Sequence, residues 1–418
     1  MSVLANPRRS GVQQWLGFPA ALRLLLLGDL ITALGTGFTQ PYLVILLHAV
    51  KGLPLVTATA MTSLLALASV PGNWLSGSLA DRIGGYRTMT IGLATTACGL
   101  LVVSSGSGAG MLGAGVAAVG FGWSVTLPAY STLIARMVSG EAQSRAFTAR
   151  YALFNVGMGI GAAIGALLMP HGLAGALTLL WWLASATCVA SIAIVWLARA
   201  RDHAVSAAAP GDGDEPVPGG YRRVFADRPL RRVLVAALLF AAAGYGVYGA
   251  GLPVLAIESG APQAMGAVNV ANCLTVAAGL PLALAATKRF GPVQLLALTA
   301  LLWSAGWAIC AVQAETSALP GTAVLVAAAV LMGLGEITLA GALPALVNAL
   351  APDELRGRYN AVLTLATTAG LWAGPMLTAG AAALGAVPAL FCVSIVLLAA
   401  APAVVGRSSI RGLAEVPA

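Results

Sequence analysis

Two carboxylates stand where carboxylates are costly. Asp29 and Glu336 each lie inside a run of apolar residues long enough to cross a bilayer. An ionised acid in hydrocarbon is unfavourable, so each is expected to face the protein interior or a wet cavity. There it can load and release a proton as access alternates, and the change of charge biases one conformation over another. Glu336 follows Gly335 deep within its run, which suits a proton or cationic-substrate site; a structural hydrogen bond to a neighbouring helix is the plainer alternative. Asp29 lies one to two turns from Arg23, which suits the same role or a pairing at the inner surface. Glu258 and Glu315 fall near outer loops and are expected to meet water.

Amide and aromatic side chains at membrane depth supply a second kind of chemistry. Gln40, Tyr42, Asn73, Trp123, Tyr130, Tyr151, Asn155, Tyr245, Tyr248, Asn269 and Asn272 are candidates to line a cavity for a small-molecule substrate. Aromatic faces offer apolar contact and cation-π attraction, and amides orient polar atoms. Tyrosine and tryptophan also form interfacial belts, so packing is the competing reading for each. His48, His171 and His203 are not placed for acid–base work, and the five cysteines show no CxxC or metal-ligand spacing. No nucleotide loop or metalloprotease motif is present. No cofactor, metal or enzymatic constellation is therefore expected; protons are the expected coupling ions.

The elements that must position these residues are membrane helices. The chain has 418 residues, 59% hydrophobic and 9% charged, with a mean hydropathy of +0.90. That is too apolar for a soluble core of this size. A span takes roughly 20 helical residues, because broken backbone hydrogen bonds are too costly in lipid. Hydropathy places twelve spans at 21–48, 56–79, 87–105, 109–135, 146–169, 172–198, 230–256, 264–286, 292–313, 320–349, 359–382 and 386–405. The expected fold class is an all-α polytopic membrane protein with a six-plus-six helix bundle.

With the N-terminus inside, 21 of the 22 Lys and Arg residues fall on one side of the membrane and Lys51 falls on the other. Cytoplasmic loops carry such an excess. The formal charge of +8 is thus a topology signal spread over loops, and nucleic acid is not an expected partner. Both termini come out cytoplasmic, and the first helix is expected to be retained rather than cleaved. One long polar stretch, 199–229, contains AAAPGDGDEPVPGG and reads as a linker between an N-terminal bundle, 1–198, and a C-terminal bundle, 230–418.

The halves echo each other. DRIGG at 81–85 matches KRFGP at 288–292, and an offset of 213 relates Gly120 to Gly333, Arg145 to Arg358, Gly157 to Gly370 and Gly161 to Gly374. Small residues at four-residue spacing, here Gly157, Gly161 and Gly165, form a strip for close helix contact, and Gly370, Gly374 and Pro375 are expected to serve the later helix likewise. Two related bundles imply a binding site at their interface, opened by rocking one against the other.

The sharpest local pattern is the loop Gly77-Ser78-Leu79-Ala80-Asp81-Arg82-Ile83-Gly84-Gly85-Tyr86-Arg87. It resembles the signature loop GxLaDrxGxr of the major facilitator superfamily, and the six-plus-six topology is similar throughout. The resemblance implies that this loop latches the bundles on the cytoplasmic side. Gly77 would permit close approach, Asp81 would accept hydrogen bonds near a helix terminus, Arg82 and Arg87 would supply opposite charge, and Gly84 would belong to the same gate. The strip around Gly157 resembles a fifth-helix motif of antiporters in that family, with Ala162 where its proline is usual. Proton-linked members often carry an arginine where this chain has Val116, so coupling must lean on Glu336 or Asp29 with a different partner.

The resemblance points to the twelve-helix bacterial drug:proton antiporters. It implies a secondary transporter of the bacterial inner membrane that exports hydrophobic or cationic small molecules by alternating access. A carrier of a specific sugar, amino acid or other metabolite is the first alternative. A nontransporting receptor or scaffold is the second. No obligatory protein partner is expected.

Overall fold

A computed structural model of the chain describes residues 17–202, 220–316, 321–352 and 355–406. Arg8, Arg9, His203, most of the proline- and glycine-rich stretch, Arg407 and Arg411 lie outside them. Long helices run in the order α1 Ala20–Val50, α2 Leu55–Ile83, α3 Gly85–Ser105, α4 Ala109–Met137, α5 Gly140–His171 and α6 Leu173–Ala200. After the undescribed stretch come α7 Arg228–Glu258, α8 Ala264–Arg289, α9 Pro292–Thr316, α10 Gly321–Leu350, α11 Arg356–Ala383 and α12 Val387–Gly406. Eleven are long and apolar enough to cross a membrane among the described residues; α8 has 26 residues and its apolar stretch is Ala264–Gly279.

The helices match the spans that hydropathy predicts to within four residues at every end but one. The largest difference is α5, which starts at Gly140 rather than 146. Arg145 donates to Glu141 at 2.9 Å across one exposed turn, so the helix continues into water on side-chain pairing that hydropathy does not register. The expected linker 199–229 is also partly helical, because α6 runs to Ala200 and a short helix covers Gly220–Ala226.

Both chain ends flanking 203–219 are fastened. The Tyr86 hydroxyl donates to Asp202 at 2.8 Å, and the Tyr359 hydroxyl donates to Asp227 at 2.7 Å. Asp227 also caps α7 by accepting from the Leu230 amide at 3.2 Å.

The two sets of six helices pack alike. In the first, α1 lies against α5 and α6, α3 against α4 and α6, and α2 against α4; in the second, α7, α9 and α8 repeat these pairings with α11, α12 and α10. The glycine strips explain the closest of them. A Cβ at Gly157 or Gly161 would lie 2.6 or 2.2 Å from the Leu30 or Leu34 carbonyl oxygen on α1. A Cβ at Gly370 or Gly374 would lie 2.5 Å from the Leu238 or Ala242 carbonyl oxygen on α7. The backbones therefore touch in both halves at corresponding places, which a side chain would prevent. Gly165 accommodates the Tyr42 ring in the same manner, with Cε2 at 2.7 Å from a built Cβ.

Between the sets, α2 meets α11 and α5 meets α8. The Ser63 hydroxyl donates to the Trp372 carbonyl at 3.0 Å, and a Cβ at Gly266 would lie 2.4 Å from both the Tyr42 hydroxyl and the Ala166 Cβ. These contacts lie toward the Lys51 end of the helices. Lys51 itself donates to the Ser104 and Gly106 carbonyls at the end of α3, and desolvation holds its amine pKa below the usual range. Outward-facing apolar side chains such as Trp182, Val189, Leu301 and Val396 form the surface that lipid covers.

Candidate functional site

Between the two sets of helices lie two adjoining chambers, about 340 and 400 Å³ in volume. Two local breaks in helical regularity shape their walls. In α1, Pro41 lacks an N–H and the helix tightens to 3₁₀ form over Gln40–Tyr42, presenting Gln40. In α7, a π stretch over Ala241–Gly246 presents Tyr245. Gln40, Tyr245, Gly249 and Leu371 border both chambers.

The larger chamber holds Glu336, the sole carboxylate among the described cavity-lining residues, which include no Lys, Arg or His in either chamber. Its placement depends on the glycine before it. A Cβ at Gly335 would lie 2.2 Å from the Trp303 indole nitrogen, so the missing side chain lets Trp303 pack flush on α10. The indole N–H donates to the Met332 carbonyl at 2.8 Å. The next residue then faces the chamber, where Glu336 Oε1 accepts from the Tyr151 hydroxyl at 3.3 Å. Asn272 is a second hydrogen-bonding neighbour of this carboxylate. The Tyr151 bond runs from α5 in the first set to α10 in the second.

Two further polar groups of this chamber have no hydrogen-bond partner among the described residues: the Asn269 side-chain nitrogen and the Tyr248 hydroxyl. Buried donors without partners are costly. Asn155 donates to the Tyr151 carbonyl at 2.9 Å and steadies that turn of α5. Asn73 and Trp123 line the smaller chamber.

Two residues expected in the cavity are elsewhere. Tyr42 is fully buried where α1, α5 and α8 meet, with its hydroxyl donating to the Ala162 carbonyl at 3.1 Å. Tyr130 is buried within the first set of helices, its ring 4.5 Å beneath the Arg150 guanidinium. The sequence reading could not separate these packing tyrosines from lining ones, since all occupy apolar helices.

Asp29 pairs with Arg150, not Arg23. The Arg150 Nε donates to its Oδ2 at 3.2 Å, with side-chain exposures of 17% for the arginine and 11% for the acid. Arg150 lies inside α5, within the predicted span 146–169, and this pair does not line either chamber. Val116, where related proteins can carry an arginine, is a buried packing residue at 1% exposure.

At the arginine-rich end, Asp81, Arg82 and Arg87 are exposed and have no side-chain partner among the described residues. A Cβ at Gly77 would meet nothing within 4 Å, so the close approach expected there is absent in this conformation. Gly84 has φ +83°, which allows α2 to turn directly into α3. Sequence reasoning missed Trp303, Met332, Phe154, Met158, Thr367 and Leu371 as lining residues. Their types match those of lipid-facing positions, and only the partner helix distinguishes them.

Membrane-length helices in two matching sets around one central cavity define a polytopic transporter fold. The sequence profile described as Major Facilitator Superfamily matches residues 25–268 and 234–408. The chain belongs to that family, and on this ground it is a membrane transporter and not an enzyme. It is 34% identical over 147 residues to YttB, an uncharacterized MFS-type transporter of Bacillus subtilis strain 168. That stretch covers 35% of this chain and 37% of the relative's length. Among solved structures, a mutant of the peptide transporter POT in complex with alafosfalin superposes with a TM-score of 0.76 at 15% identity, covering 96% of each chain. The nucleoside transporter NupG gives 0.76 at 13% identity, covering 93% of this chain and 100% of that one. At these identities the likeness concerns the fold.

Proposed function

We propose that the protein is a proton-coupled exporter of monocationic, partly apolar small molecules in a bacterial inner membrane, with both termini in the cytoplasm. The observation that carries this reading is the lone carboxylate, Glu336, in a cavity whose described lining contains no basic side chain. A carboxylate in largely carbon surroundings attracts one positive charge, either a proton or a cationic substrate, and competition between them is the coupling. Zwitterionic peptides would bring a carboxylate that no lysine or arginine of this cavity could meet.

The two six-helix units rock about the α2–α11 and α5–α8 seams. The absence of partners for Asp81, Arg82 and Arg87 supports an inward-open reading of this conformation, in which the 77–87 latch is disengaged. Substrate enters from the cytoplasm and displaces the proton from Glu336; the latch closes as the opposite end opens. Asn155, Asn269 and Asn272 favour a second reading, a carrier of a neutral, hydrogen-bonding metabolite.

Purified protein in proteoliposomes with an imposed proton gradient tests the choice. The first reading expects gradient-driven movement of tetraphenylphosphonium that Glu336→Gln abolishes. Unchanged movement in that variant rejects the role of Glu336, and movement of neutral nucleosides or sugars in place of the cation supports the second reading.

A further inference from the structure

Resting on the monocation reading, the two-chamber geometry carries a more specific one. The chambers differ in charge rather than size. The one of about 400 Å³ contains Glu336 and the partnerless Asn269 nitrogen and Tyr248 hydroxyl. The chamber of about 340 Å³ has no charged side chain among its described lining; Leu43, Leu65, Trp123 and Leu127 supply its carbon wall, with Thr62, Ser69, Asn73 and Ser124 beside them. A waist formed by Gln40, Tyr245, Gly249 and Leu371 belongs to both.

We infer that the cavity is a bipartite receptor: a cationic head sits against Glu336, and an apolar arm reaches past the waist into the Trp123 chamber. Charge complementarity fixes the orientation. An ammonium head in the Trp123 chamber would have no carboxylate, whereas an alkyl or aryl arm there meets leucine side chains and an indole face. Each buried methylene of the arm adds affinity, so arm length is read by the second chamber.

Gly249 makes the inference testable without disturbing the fold. It sits at the waist, and a Cβ built there meets nothing within 4 Å. Gly249→Leu therefore places a side chain in open space and also removes a glycine from a helix. The probes are phenyltrimethylammonium, a compact head, and dodecyltrimethylammonium, the same charge with a long arm, with affinities measured by scintillation proximity on purified protein. In the wild type the long-armed cation is expected to bind more than tenfold tighter. Gly249→Leu is expected to erase that advantage by weakening the long-armed cation far more than the compact one. Glu336→Gln is expected to weaken both at least tenfold.

If Gly249→Leu keeps the arm's advantage, or weakens both cations equally, the bipartite site is wrong while the monocation reading stands on the Glu336→Gln result. If Glu336→Gln leaves both affinities intact, or the wild type binds neither cation, the monocation reading falls and the bipartite site with it. Thermal melting of each variant confirms that the folded protein is being compared.

Discussion

The Tyr151 hydroxyl donates to Glu336 Oε1 at 3.3 Å, and the bond joins a helix of the first six to a helix of the last six. The carboxylate proposed to hold the proton is thus also a tie between the two halves. The residue before Tyr151, Arg150, is bound instead to Asp29 within the first half. One turn of α5 consequently touches both membrane-embedded acids.

Cation binding at Glu336 is expected to strengthen as pH rises, because the proton competes for the same oxygens. The sign follows from the competition: lower pH fills the site with protons and excludes the cation. Equilibrium binding of dodecyltrimethylammonium across pH 5–9, a range of ordinary assay conditions set by where carboxylates and their perturbed forms titrate, checks this. A flat profile in the wild type would count against a shared site.

Tyr151→Phe removes the cross-bundle donor but leaves the carboxylate. A hydrogen bond to a charged group contributes about 1.5–3 kcal/mol, so loss of this one is expected to slow proton-driven exchange roughly tenfold. Cation affinity at alkaline pH should change far less. Equal losses in binding and exchange would mean that Tyr151 acts on the substrate directly.

The Arg150–Asp29 pair is mostly shielded, so removing one partner strands a charge. Arg150→Ala is expected to destabilise the protein by about 3 kcal/mol, read as a lowered melting temperature in detergent. Combining it with Asp29→Asn should recover much of the loss, since the stranded charge is then gone. Purely additive losses would show that the pair contributes through packing alone.

Glycines of one chain are expected to respond in opposite ways. Gly161→Val and Gly374→Val place atoms within 2.2 and 2.5 Å of a facing carbonyl oxygen and should prevent a folded, monodisperse protein. Gly77→Val meets no neighbour here, so its melting temperature should match the wild type. It is expected to obstruct closure of the arginine-rich end instead, seen as persistent labelling of a cysteine placed at Ser78 when substrate and gradient are applied.

Most of the architecture was legible in the sequence because lipid imposes length and apolarity on each span. The repeat was legible in glycines, and the contacts give its reason: the offset of 213 between Gly157 and Gly370 is matched by one of 208 between Leu30 and Leu238, the carbonyls they approach. Glu336 stood out because an acid is rare in such a run, and it does face the cavity. Tyr42 and Tyr130 could not be told from Tyr245, since helix type and depth are alike and only the facing helix differs. Arg150 falls inside the predicted span 146–169, and hydropathy says nothing of its partner; the contact with Asp29 comes only from the packing of α1 on α5. Gly77 needs a second conformation to reveal any close contact.

The clasps Tyr86–Asp202 and Tyr359–Asp227 each close within their own set of six helices, one just before residues 203–219 and one just after. Cleavage between them would leave each fragment with its own terminal fastening intact. Two separately translated polypeptides, the first reaching past Asp202 and the second starting before Asp227, would each keep its own clasp. Severing this joint asks whether the covalent thread is needed for the stroke or only for delivering equal numbers of the two parts.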